Sequence, residues 1–156
     1  MRLLQYALVL ALFFVHVTSA KADPLALGVI IGTQSGFSFK YNISEQTAID
    51  GAISYSSDSS YGNSVHVDYL FDRARVFSAG KVSPLNFYYG VGLRFTDIRR
   101  GDYENKDIIA IRAPFGLQYS IGNPDLDFFG EIAPALEVTP RSDVVFDVGL
   151  GIRYRF

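Results

Sequence analysis

The chain has 156 residues, with 14 basic against 16 acidic side chains, 15% aromatic residues, two histidines and no cysteine or tryptophan. That length suits one core and is too short for two of ordinary size. The slightly acidic balance lacks the basic footprint of a nucleic-acid binder. The missing cysteine excludes disulfides, thiolate metal ligands, cysteine nucleophiles and lipoprotein acylation.

In chain order, residues 1–22 read as an export signal: Arg2 gives the positive start, Leu3 to Val17 the apolar stretch, and Ala20-Lys21-Ala22 the small-residue cleavage pattern. The stretch is interrupted by Gln5 and His16 and is short for a membrane-spanning helix. The expected mature domain is 23–156; without Arg2 and Lys21 it carries 12 basic and 16 acidic residues, a net charge of −4.

Beyond the signal the apolar pattern has period two, broken by clusters of Gly, Asn, Asp, Ser and Pro, so the fold expected is all-β. Eight strands are predicted near 25–33, 36–42, 47–56, 63–71, 85–97, 108–119, 126–139 and 143–156. One face of these strands is almost wholly apolar. It runs through Leu27, Val29 and Ile31, then Phe37 and Phe39, Ile49 and Ile53, Val65 and Val67, Val91 and Leu93, Ile109 and Ile111, Ile132 and Leu136, and Val144 to Leu150 at every second position. The opposite face mixes Gly28, Gly90, Gly92, Gly116, Ala133, Ala135, Gly149 and Gly151 with Lys40, Asp50, Asp68, Arg94, Arg112, Glu131, Glu137, Asp147, Arg153 and Arg155. Two segments fit this pattern poorly. Residues 72–84 make a long connection holding the apolar pair Val76 and Phe77, which suggests a bulge, short strand or extended hairpin. Pro114 and Pro134 fall inside predicted strands, where proline removes a ladder hydrogen bond.

Alternation alone suits a water-soluble sandwich equally well. Three features favour the inverted arrangement, apolar outside and charged inside. The polar face is rich in Gly and Ala, and its charges are mostly Arg opposite Asp or Glu, as a narrow eight-stranded lumen requires. Tyr and Phe recur near strand ends on the apolar face, at Tyr41, Tyr55, Tyr69, Phe71, Phe87, Tyr119, Phe128 and Tyr154, as interfacial girdles require. The chain also stops inside a strand, on Phe156. Since a lipid-facing Lys or Arg costs about 2 to 4 kcal/mol near the bilayer midplane, an uncharged outer face is what selection would leave. The expectation is an eight-stranded antiparallel transmembrane up-and-down β-barrel in the bacterial outer membrane, with a closed, charge-filled lumen and no cofactor. Outward loops fall near Gln34-Ser35, Ser57 to Gly62, Ile98 to Asp107 and Pro140 to Ser142, and the very polar Arg99 to Asp107 stretch is a candidate for contact with lipopolysaccharide.

The sharpest catalytic candidate is Ser64-Val65-His66-Val67-Asp68, which puts a hydroxyl, the one histidine of the mature chain and a carboxylate on one strand face. Residues two apart on a strand have Cα atoms roughly 6.5 to 7 Å apart, so direct contact is strained; the three are also what a polar lumen contains without catalysis. Lys40 and Asp50 lie on adjacent predicted strands and could pair, while Arg94 and Arg112 need Glu137, Asp147 or another acid across the lumen. Glu131 and Glu137 are too far apart on one strand for a glycosidase pair. One histidine with scattered carboxylates makes no metal-ligand set, so no metal site is expected.

The last strand, Val144 to Phe156, resembles the terminal strand of bacterial outer-membrane barrels, and with the length and signal the chain resembles the small OmpA-like and OmpX-like eight-stranded class. The resemblance implies that Tyr154 and Phe156 are read by the barrel assembly machinery. The lipid-ready outer face and the charged, crowded lumen lead to the expectation of a monomer among outer-membrane lipid and lipopolysaccharide, with a structural or surface-interaction role and no enzymatic activity. Some outer-membrane barrels are lipid A deacylases with a lipid-facing His-x-Ser pair; here the order is Ser-x-His and the face is the lumen. The alternatives are such a lipid-modifying enzyme and a soluble periplasmic β-barrel binding module.

Overall fold

The computed structural model describes residues 24–56, 61–77, 85–98, 107–140 and 142–156. The expected export signal at 1–22, residues 57–60 and 99–106 of two expected outward loops, and residues 23, 78–84 and 141 lie outside the described residues.

Nine strands follow one another: β1 Leu25–Gly32, β2 Gln34–Asn42, β3 Thr47–Ser56, β4 Tyr61–Phe77, β5 Leu85–Ile98, β6 Asp107–Arg112, β7 Phe115–Gly122, β8 Asp125–Thr139 and β9 Asp143–Arg155. All pairings are antiparallel, and every strand except β6 and β7, which do not pair with each other, lies beside its neighbours in sequence. β1 pairs with β9 from Ala26 opposite Arg155 to Gly32 opposite Gly149, which closes the ring. β6 and β7 share one position, since both pair with β5 on one side and β8 on the other. The result is an all-β antiparallel barrel of eight positions, with the start of β1 and the end of β9 at the same rim.

The predicted 108–119 strand is therefore interrupted, and the cause is local. Pro114 has no N–H to give, so regular pairing stops at Ala113 and Pro114. The sheet still holds together there, because the Gly90 N–H donates to the Pro114 carbonyl and the Ala113 N–H to the Pro134 carbonyl, each at 2.9 Å. Pro134 stays inside β8 opposite Phe146. A register shift lets β8 skip Val138 between Ile109 opposite Thr139 and Ala110 opposite Glu137. The predicted 63–71 strand is longer than expected. β4 runs on to Phe77, with Asp72 opposite Tyr88, Arg73 opposite Phe87 and, after a shift, Phe77 opposite Leu85, so the first part of the 72–84 connection is an extended, bulged hairpin.

Polarity is inverted across the wall. Outward side chains are apolar and bare, with Ile31 64% exposed, Phe37 76%, Ile132 54% and Leu150 63%. Inward, Ala48, Ala52, Ser64, Leu70 and Asp68 have no exposed surface, and Lys40, Arg94, Arg112 and Arg153 are buried. Charged side chains are almost never fully buried without partners, so the interior is where any chemistry must be sought.

The lumen also holds an apolar cluster of Ile30, Ala48, Ala52, Leu70, Tyr88 and Phe129. Two of its rings lie on cross-strand glycines. Gly116 stands opposite Tyr88, and a Cβ there would fall 2.2 Å from the ring. Gly151 stands opposite Phe129, with the same clearance of 2.2 Å. Glycines of the inner face thus make room for rings and leave no channel at those positions.

Candidate functional site: the charged lumen

The ion pairs of the lumen fall into three levels. Toward the rim where β1 begins, Lys40 Nζ sits 2.9 Å from Asp72 and bonds Gln118 at 3.0 Å, with the Tyr88 ring 5.5 Å away. Although Lys40 stands directly opposite Asp50 in the β2 and β3 ladder, the two do not pair: Asp50 accepts instead from Arg153 at 2.7 Å. Arg153 also donates to Ser38 Oγ and lies 3.8 Å over the Phe129 ring. At the rim itself Arg155 binds Asp127, Asp125 and the Ile121 carbonyl.

At mid-height Arg112 is the hub. Its guanidinium pairs with Glu131, with Asp68 at 3.2 Å and with Asp147 at 3.6 Å, so one side chain ties β6 to β4, β8 and β9. Tyr88 donates its hydroxyl proton to Glu131 at 3.0 Å. Nearer the loop rim, Arg94 contacts Glu137 at 2.9 Å and Asp147 at 2.6 Å, so Asp147 bridges the two arginines. Each expected lumen ion, Lys40, Asp50, Asp68, Arg94, Arg112, Glu131, Glu137, Asp147 and Arg153, lies inside the ring in an ion pair.

The catalytic candidates do not assemble. Ser64 is fully buried and shares a 2.9 Å hydrogen bond with Thr96, while His66 Nε2 is 4.0 Å from Asp68, beyond hydrogen-bond reach, and Asp68 is engaged by Arg112. All three point into the lumen, away from the apolar outer surface. What the register does gather is unexpected. Asp50 stands opposite Asp68 and Ala52 opposite His66, which brings one donor atom each from Asp50, His66 and Asp68 within 4.8 Å of one another.

Sequence reasoning missed Asp72, Asp127, Gln118 and Ser38 as partners, and Tyr88 and Phe129 as lumen rings. The rings had a legible signal, since both share the parity of the charged face; their glycine partners depend on register.

A closed eight-position antiparallel wall, bare and apolar outside and cross-linked by ion pairs inside, defines the architecture of bacterial outer-membrane β-barrels. The fold is similar to the N-terminal β-barrel domain of Pseudomonas aeruginosa OprF, with a TM-score of 0.65 and 14% identity over 87% of this chain and 100% of that one. It is similar also to Neisserial surface protein A (NspA), with a TM-score of 0.54 and 16% identity over 85% of this chain and 93% of that one. No family model and no curated protein sequence matches the chain.

At the ring seam the Phe156 N–H donates to the Leu25 carbonyl at 2.9 Å, and the Tyr154 and Phe156 rings meet edge to face outside the wall, 5.0 Å apart.

Proposed function

We propose that the chain is a non-enzymatic bacterial outer-membrane β-barrel protein, residues 23–156 following a cleaved 1–22 signal, whose sealed barrel has a structural or surface-interaction role. The observation that carries this reading is Arg112, buried in mid-lumen and joined to carboxylates from three other strands, behind a wall whose outer side chains are apolar. Water is a poor solvent for an almost wholly apolar exterior of this extent, whereas acyl chains are a good one, because every strand in the ring has neighbours on both sides and no edge needs water.

The barrel stands as a monomer among outer-membrane lipid and lipopolysaccharide, and Tyr154 and Phe156 serve as the signal for the barrel assembly machinery. Cell fractionation tests the location: the protein should stay with the outer membrane until detergent is added and should change mobility on gels when boiled. Recovery as a folded, monodisperse species in plain buffer would overturn the reading. Planar-bilayer recordings test the seal, with no large, stable conductance expected.

A further inference from the structure

We propose that the barrel lumen holds one divalent transition-metal ion of the zinc class, bound by Asp50, His66 and Asp68. Their donor atoms lie within 4.8 Å of one another on two adjacent strands. All three side chains are at least nine-tenths buried. Asp50 Oδ1, Asp68 Oδ1 and His66 Nδ1 have no hydrogen-bond partner among the described residues, and a buried polar atom left so is costly unless something else satisfies it.

The neighbouring guanidiniums do not fill the site. Arg153 occupies Asp50 Oδ2 and Arg112 pairs with Asp68 Oδ2, which leaves the Oδ1 atom of each carboxylate open and fixes its orientation, as outer-shell partners of metal ligands do. Asp68 Oδ1 itself rests over Gly92, where a Cβ would fall 1.9 Å from that atom, so only glycine admits this carboxylate.

Charge points the same way. Among the described residues of the central lumen, Arg94, Arg112 and Arg153 face Asp50, Asp68, Glu131, Glu137 and Asp147. Five carboxylates share three guanidiniums in a site of low polarity, where an uncompensated ion is strongly unfavourable, so the two carboxylates beyond that match must be met by protons or by a cation. One divalent cation would meet both. The imidazole selects the ion: two carboxylates with one histidine nitrogen suit zinc-like metals, whereas magnesium and calcium take oxygen alone. A cavity of about 10 Å³ beside Thr33 and Gln34 reaches His66, with Arg112, Glu131 and Asp147 also on its wall.

The test uses the untagged full barrel refolded in detergent, stripped with chelator and titrated with Zn²⁺ by calorimetry, with Co²⁺ absorption as a second readout. One equivalent should bind. His66→Gln and Asp50→Asn should each weaken binding at least about tenfold, since even outer-shell changes have effects of that size. Zn²⁺ should also raise the unfolding midpoint of the wild type and leave that of His66→Gln unmoved. Should Asp50→Asn fail to fold, His66→Gln decides, because glutamine keeps a buried polar group without an imidazole. A folded wild-type barrel that binds no Zn²⁺, or unchanged affinity in His66→Gln, overturns the proposal.

Discussion

The same chemical pair, arginine with a carboxylate, occurs in two settings in this barrel. Around Arg112 both partners are sealed from solvent: the side chains of Arg112 and Asp68 are 2% and 0% exposed. At the rim, Arg155 and Asp125 are 19% and 44% exposed and meet at 3.2 Å. Water and counter-ions share the work at the rim, so that pair contributes little; at mid-height each ion depends on its partners alone. The comparison shows where the barrel is most sensitive to a lost charge. It also explains why the central ions form a network: with dehydration this complete, every lone pair left open is unfavourable.

Four substitutions sharpen or break that contrast. Arg112→Met should have the largest effect, destabilising the barrel by about 3 to 5 kcal/mol, because Asp68, Glu131 and Asp147 lose a shared counter-ion in a dry site. Urea unfolding in detergent, followed by the gel shift on boiling, measures it, and a loss as small as that of a rim charge would end the distinction.

Ile132→Arg, on the outer face at the middle of β8, should cost about 2 to 4 kcal/mol in lipid vesicles; an unchanged midpoint would mean that this surface does not meet acyl chains. Gly116→Val should cost about 1 to 3 kcal/mol, since its Cβ would strike the Tyr88 ring, and combining it with Tyr88→Ala should recover part of that loss. Smallest is Asp125→Asn, at most about 1 kcal/mol and smaller still in high salt.

Much of this was open to reading in the chain itself. Strand parity is a property of the backbone: successive side chains point to opposite faces, so the side of the wall on which Val29, Phe37 or Ile132 stands, and on which Arg94 or Glu137 stands, follows from counting. The split at Pro114 was visible as a conflict and not as a solution, since its remedy uses Gly90 and the Pro134 carbonyl, which belong to other strands. The length of β4 was hidden for a related reason. Arg73 to Phe77 lack a clean alternation, and their pairing with Leu85 to Phe87 needs a register shift.

The sequence by itself determined the class of fold, the number of ring positions and the face of each strand residue, because period two and turn chemistry are local. Only the tertiary structure decided who meets whom across the lumen: Lys40 with Asp72 and not Asp50, Arg153 with Asp50, Ser64 with Thr96, and Asp50 beside His66 and Asp68. Those meetings depend on register and on the stagger of strands around a closed ring, which long side chains then span. No local pattern encodes that stagger, since a charged residue of the inner face fits the alternation equally well whichever partner it finally reaches.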